Sequence, residues 1–129
     1  MRLLLDTHVF VWLQIAPERL GRHQTLVEDE GNQLLVSAAT SWEIAIKYQI
    51  GKLPLPDPPD RWVPESIRAI GARPIAVEHE HALAVAGLPT LHGDPFDRLL
   101  VAQAKLLELT LLTADARLAD YPVTTILVA

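Results

Sequence analysis

A length of 129 residues is that of one domain with a single hydrophobic core, so we expect one domain over residues 1–129. A composition of 50% hydrophobic and 21% charged residues excludes intrinsic disorder, and the absence of cysteine excludes disulfides and thiolate zinc sites. A formal net charge of −5 is not that of a surface built to hold nucleic acid, so something other than net charge would have to attract a phosphate backbone, and bound divalent cations are one candidate.

The N-terminal segment, residues 1–16, imitates a signal peptide because an arginine is followed by an apolar stretch. Asp6 and His8 interrupt that stretch, and no later segment reaches the ~20 apolar residues of a membrane span. We therefore expect a cytoplasmic protein without membrane contact, and the lack of cysteine agrees with a reducing compartment.

The predicted secondary structure alternates short apolar strands with longer segments of helical periodicity. Strands are expected at residues 2–5, 34–37, 74–77, 109–113 and 124–128. Helices are expected at residues 8–15, 18–30, 40–50, 61–70, 79–87, 95–108 and 115–119. This alternation indicates an α/β fold with parallel strands and crossover helices, and strands that are apolar on both faces indicate a sheet covered on both sides.

One segment, residues 51–65, contains five of the ten prolines. A regular helix is excluded between Pro54 and Pro59, so we expect an exposed, fairly stiff connector between two helices. Two interpretations stay open: the segment is only a loop, or it is a partner surface in which Trp62 anchors the contact.

Five acidic residues are expected at one edge of the sheet. Asp6 directly follows the first strand, Asp115 follows the fourth after one alanine, and Glu43 lies one turn into the helix after the second. Asp94 and Asp97 lie in the connection that leads into the helix at 95–108. In a parallel sheet the loops at the carboxyl ends of the strands form the ligand crevice, so carboxylates from distant parts of the sequence should meet there.

Helix capping is the simplest alternative role for these acids. Asp94 before Pro95 is a strong N-cap signal, and Asp97 at the third helical position favours the helix dipole. Asp6 and Asp115 would similarly cap the helices that follow them. Capping explains one or two of these acids but not four, so the stretch at 92–100 is interpreted as both a cap and part of a site.

Glu43 has its own alternative, because Lys47 lies four residues on and the two would form an ordinary surface pair. Its neighbours, however, are apolar: Trp42, Ile44, Ala45 and Ile46. A carboxylate buried there costs several kcal/mol unless a cation or hydrogen bonds compensate it.

Clustered carboxylates without cysteine suit hard cations, Mg²⁺ or Mn²⁺, which activate water against a phosphodiester. The hydroxyls of Thr7, Ser41 and Thr113 lie within two residues of an acid and would orient it, or would bond only the nearby backbone. His92 is expected as an outer group beside Asp94. The nearest cations by sequence are Arg98, Lys47 and Arg117, as phosphate contacts or as surface ion pairs.

These motifs together resemble the PIN-domain ribonucleases, specifically the VapC-type toxins of bacterial toxin–antitoxin pairs. They are Asp6 after the first strand, "SAATSWEIAIK" with Glu43, "HGDPFDRLLVAQA" with Asp97, and "LLTAD" with Asp115. The resemblance covers nearly the whole chain. It implies a three-layer α/β/α sandwich with a mainly parallel sheet, a Mg²⁺- or Mn²⁺-dependent endoribonuclease, a cognate antitoxin that blocks the active site, and a homodimer.

The resemblance also implies residue roles. Asp6, Glu43, Asp97 and Asp115 form the catalytic, metal-binding quartet, and Thr113 supports it. Our interpretation gives Asp97 the metal and Asp94 the cap, although Asp94 stands close enough to share the ligand role. The RNA that is cut, the number of metal ions and the oligomeric state are left unspecified.

Three other functions are alternatives to a ribonuclease. A haloacid dehalogenase-type phosphatase needs a second aspartate where this chain has His8. A receiver-like phosphoacceptor module pairs neighbouring early acids with a lysine near the last strand, but no lysine follows Lys105. A binding protein with lost chemistry would not need the complete quartet.

Overall fold

The computed structural model describes residues 1–128, and its centre is a five-stranded sheet in which every strand pairing is parallel. The strands are β1 (Arg2–Leu5), β2 (Gln33–Ser37), β3 (Arg73–Ile75), β4 (Thr110–Thr113) and β5 (Thr125–Leu127). Their order across the sheet is β3-β2-β1-β4-β5. All five predicted strands are therefore confirmed, with ends that shift by two residues at most.

Six α-helices connect or flank these strands. They are α1 (Thr7–Ile15), α2 (Gln24–Glu28), α3 (Ala38–Gln49), α4 (Pro59–Ala69), α5 (His79–Ala84) and α6 (Pro95–Leu107). The predicted helix at 18–30 is wrong as one element, because Gly21 adopts φ 55° and ψ −131° and kinks the 3₁₀ segment Pro17–His23 that precedes α2. The predicted helix at 115–119 is a 3₁₀ turn, Ala116–Asp120. Within residues 1–128, every helix is too short or too polar to cross a membrane.

Both faces of the sheet are covered by helices. Alternate side chains of β1 point to opposite faces, as the pleat requires. Leu3 and Leu5 pack with α1 and α4, while Leu4 packs with α6, and all three are fully buried. The three-layer α/β/α architecture is thereby confirmed; residue 129, the last of the predicted domain, lies outside the described part.

The proline-rich segment ends earlier than predicted, since α4 begins at Pro59, where the ring fits the first helical turn. Trp62 lies on the inner face of this helix and is only 6% exposed. Its ring contacts that of Phe10 edge to face, with centroids 6.0 Å apart. The prediction that Trp62 anchors a partner is therefore wrong, because its ring belongs to the core.

The strand order creates a crevice at the carboxyl edge of the sheet. From the central β1 the chain runs to β2 on one side, and it later returns to β4 on the other side. The loops after β1 and β4 thus diverge, which is where ligands bind in parallel α/β sheets. Leu5 pairs with Leu112, and the N–H of Asp6 donates to the oxygen of Leu112 at 3.0 Å. This register sets Asp6 beside Thr113.

Candidate active site at the carboxyl edge of the sheet

Asp6 is held in a fixed orientation at the end of β1. One carboxylate oxygen accepts from the N–H of Val9 at 2.9 Å, so Asp6 is the N-cap of α1. The other oxygen accepts from the hydroxyl of Thr113. Burial raises the pKa of Asp6 above its ordinary value, although both hydrogen bonds oppose the rise. The side chain is therefore both a cap and a buried acid.

Glu43 lies on α3 and is only 2% exposed. The hydroxyl of Thr7 donates to its Oε1 at 2.6 Å, and Nζ of Lys47 lies 2.5 Å from its Oε2. Thr7 also contacts the hydroxyl of Thr40 at 3.2 Å. The predicted supporting hydroxyl and the predicted cation thus both contact this acid, and Lys47 is occupied by a carboxylate. Ser41, half-buried on the same helix, takes no part in these contacts.

Asp97 lies in the first turn of α6, beneath the cap that Asp94 provides. Oδ1 of Asp94 accepts from the N–H of Asp97 at 3.0 Å, as the sequence predicts. Nε2 of His92 lies 2.9 Å from Oδ2 of Asp97, and the imidazole is 8% exposed. His92 is thus in direct contact with Asp97, the predicted metal ligand. The sequence predicts it instead as an outer group beside Asp94.

Burial raises the pKa of Asp97 from 3.8 to about 6. The hydrogen bond from His92 opposes this rise. The negative charges of Asp94, Asp6 and Glu43 add to it. Acids that are far apart in the sequence therefore act electrostatically on one carboxyl group, which indicates that they surround a common space.

Asp115 completes the cluster from the turn after β4. Its Oδ1 accepts from the N–H of Arg117 at 3.0 Å, and the Arg117 guanidinium donates to its Oδ2 at 2.7 Å. The hydrogen bonds from the Arg117 guanidinium lower the pKa of Asp115, against a smaller effect of burial. Its own N–H donates to the hydroxyl of Thr113 at 3.0 Å, so Thr113 connects Asp6 to Asp115.

Three side chains have ligand atoms close enough to share one ion. His92, Asp97 and Asp115 each place one such atom within 4.8 Å of the others, the only group of this kind between residues 1 and 128. Nε2 of His92 is 3.8 Å from Oδ2 of Asp115. The sequence indicated Asp115 through its position after a strand and Asp97 through its place in the connection into α6. The position of His92 between them depends on how the loop before α6 folds.

Arg98, predicted to contact phosphate, is bound within the protein. Its guanidinium donates to the main-chain oxygens of Pro89 at 2.8 Å and Val85 at 3.2 Å, and to the hydroxyl of Tyr121 at 3.2 Å. These bonds fasten the loop before α6, and a phosphate would have to compete with them.

Sequence reasoning missed Gln103, which is fully buried on α6. Its Oε1 accepts from the hydroxyl of Ser37, the N-cap of α3, at 2.5 Å. Its Nε2 donates to the oxygen of Ala76 at 3.1 Å and lies 3.2 Å from Nδ1 of His81. Gln103 thus ties the helix that carries Asp97 to the start of the helix that carries Glu43. A glutamine on the apolar face of α6 was the available signal.

Fold and site together define an α/β domain with a carboxylate cluster at the crevice of a parallel sheet. The PIN domain family model matches residues 3–123, and the chain belongs to this family.

Two relatives come from Mycobacterium tuberculosis (strain ATCC 25618 / H37Rv). Ribonuclease VapC22 is 32% identical over 121 residues, which cover 92% of this chain and 90% of that protein. Ribonuclease VapC16 is 41% identical over 68 residues, which are 53% of this chain and 48%, about half, of that relative.

Solved structures share the fold at low sequence identity. VapBC2 from Rickettsia felis, bound to a DNA fragment from its promoter, superposes with a TM-score of 0.72 at 17% identity and covers 98% of each chain. DNA-bound VapBC from Salmonella typhimurium gives 0.68 at 15% identity, covering 100% of this chain and 99% of the other. These likenesses establish the architecture.

Proposed function

We propose that this protein is an endoribonuclease that depends on Mg²⁺ or Mn²⁺ and acts as the toxin of a toxin–antitoxin pair. The observation that carries the proposal is that ligand atoms of His92, Asp97 and Asp115 lie within 4.8 Å of one another. Besides burial, the charges of Asp6 and Glu43 act on the same Asp97 carboxyl group and raise its pKa. The ribonuclease names of VapC22 and VapC16 support RNA as the substrate.

The residues present suit a divalent cation. Carboxylate oxygens are the ligands that Mg²⁺ and Mn²⁺ prefer, and burial raises the pKa values of Asp6 and Asp97, an effect that a bound cation would offset. We assign these two as principal ligands, with Glu43 and Asp115 completing the site directly or through water. When bound, the cation would polarise a phosphate and supply hydroxide for in-line displacement.

Neighbouring side chains of the protein orient these carboxylates through hydrogen bonds. Thr113 orients Asp6, and Thr7 orients Glu43, while His92 fixes one oxygen of Asp97. Such hydrogen bonds favour cation binding, because a carboxylate side chain that is already held in one rotamer loses little conformational entropy when it binds the ion.

A protein partner follows from the same proposal. A nuclease that is harmful when free needs a tight blocker, and a helix with an apolar face, bearing an arginine that reaches the acids, would provide one. The VapBC names of the structural neighbours support such an antitoxin. We further propose one domain over residues 1–129, a homodimer and a cytoplasmic location, without assigning the RNA. The phosphatase alternative is disfavoured, because His8 stands where its motif needs an aspartate.

The proposal is tested by incubating purified protein with labelled single-stranded RNA and Mn²⁺, with and without chelator. Wild type should cut only without chelator, and Asp6→Asn and Asp97→Asn should abolish cleavage while the circular dichroism spectrum is unchanged. Glu65→Gln, which neutralises an exposed acid on α4, is the matched control and should cut normally. Cleavage by Asp6→Asn at the wild-type rate would refute the assignment.

A further inference from the structure

Two aromatic residues are sequence neighbours of acids in the cluster. Trp42 directly precedes Glu43 on α3, and Phe96 directly precedes Asp97 on α6. Their ring centroids are 5.1 Å apart with planes at 73°, an edge-to-face contact. The pair therefore connects α3 and α6 close to the residues, Glu43 and Asp97, that these helices contribute to the site.

Trp42 stays open to solvent although it is the largest side chain on α3. The residue is 60% exposed, whereas its neighbour Glu43 is 2% exposed. An edge-to-face contact covers at most one face of an indole, and it also limits the orientations that the ring can adopt. A flat apolar surface of fixed direction is thus presented beside the acids.

The side-chain cations nearest the cluster are all engaged within the protein. The net charge is −5, and the nearby Lys47 and Arg117 are paired with Glu43 and Asp115. Arg98 is bonded to main-chain oxygens. Since these three side chains are occupied, the bound cation would be the main contact to the phosphate, and the faces of the bases offer a second part of RNA, to which an aromatic ring can bind.

We propose that Trp42, braced by Phe96, stacks on an unpaired nucleobase next to the phosphate that is cut. This inference rests on the proposed ribonuclease function and adds a substrate requirement to it. Every base has a stacking face, so the contact favours single-stranded and loop RNA over a particular base. A base-paired nucleotide would first have to leave its stack before it reached the ring.

The experiment combines changes in the protein with changes in the RNA. Cleavage is measured on a single-stranded RNA and on versions with one abasic nucleotide at successive positions around the cut. In wild type, one abasic position should lower kcat/KM by about 10-fold, the size expected for one stacked base. Trp42→Ala should lose the same factor on intact RNA, chiefly through KM, and should be indifferent to the abasic position. Trp42→Phe should recover part of the loss.

Tyr48→Ala is the matched control, because this aromatic residue is 37% exposed on the same helix, more than one turn beyond Glu43. It should retain the wild-type rate and the wild-type abasic penalty. An abasic penalty that persists in Trp42→Ala would overturn the proposal, and so would a wild-type rate of this variant on intact RNA.

A second readout separates this inference from the ribonuclease proposal. Binding of a fluorescein-labelled single-stranded RNA is followed by anisotropy in the presence of chelator, and an abasic version of the strand is the comparison. Weaker binding by Trp42→Ala to the intact strand alone supports stacking even if the wild type cuts nothing. Light scattering on the same samples gives the mass of the protein. A mass that halves in Trp42→Ala would assign Trp42 to contact between two copies and overturn the proposal.

Discussion

At the scale of single residues, the pKa of Asp97 gives the site its dependence on pH. Because burial raises that pKa to about 6 from 3.8, the folded protein binds the proton more tightly than the unfolded chain does. The stabilising effect of protonation is full below pH 3.8 and is lost as the pH rises through about 6. Above that range the folded, cation-free protein carries an unfavourable buried charge.

The first prediction therefore concerns Asp97→Asn in chelator. At pH 7.5 this variant should exceed wild type in free energy of unfolding by about 1 kcal/mol, after discounting for partial exposure. Near pH 4 the difference should vanish, because wild-type Asp97 is then protonated. Urea titrations of both proteins at the two pH values measure this. A difference that grows as the pH falls would contradict the cause assigned here.

Thr113 provides a second prediction, because its hydroxyl donates to Asp6 and accepts from the N–H of Asp115. Thr113→Val removes both bonds while nearly conserving volume. We expect a loss of about 1 to 3 kcal/mol in the free energy of unfolding and about a 10- to 100-fold fall in RNA cleavage.

Thr110→Val is the matched control for this change. It lies on the same strand and has no part in the acid cluster. It should leave cleavage unchanged, and equal losses in the two variants would assign the effect of Thr113 to β4 itself.

At the scale of elements, substitutions at the N-cap of α6 separate two roles of Asp94, helix capping and metal binding. The carboxylate caps the helix through the N–H of Asp97, a role that asparagine performs equally well. Asp94→Asn should therefore retain both stability and cleavage, whereas Asp94→Ala should lose about 1 kcal/mol of stability. Thermal unfolding and RNA cleavage of the two variants measure this. Loss of cleavage in the asparagine variant at unchanged stability would instead make Asp94 a ligand.

How much the sequence could predict also differs from element to element. The strands were predictable because short runs such as Leu3 to Leu5 are apolar on both faces, and Asp6 and Asp115 were predictable because they stand at strand ends. The break at Gly21 was not predictable, since glycine also occurs inside helices and only the tertiary path requires its positive φ. The directions of His92 and Arg98 depend on the loop before α6, whose shape no local pattern encodes.

At the scale of the whole molecule, the account links cation binding to the stability of the fold. The acids converge from four separate segments, so an ion bound among them cross-links β1, α3, α6 and the turn after β4. Mn²⁺ should raise the Tm, and the rise should grow with concentration above the dissociation constant. Asp6→Asn should abolish most of this rise, and Glu65→Gln should retain it. An equal rise in all three proteins would indicate binding elsewhere.

The most direct test of the acidic cluster as a cation site is anomalous diffraction from crystals grown with Mn²⁺. We predict a manganese peak in the crevice between β1 and β4, at about 2 Å from oxygens of both Asp6 and Asp97. A peak bound only to other residues, with these two carboxylates free of metal at saturating Mn²⁺, would contradict the account.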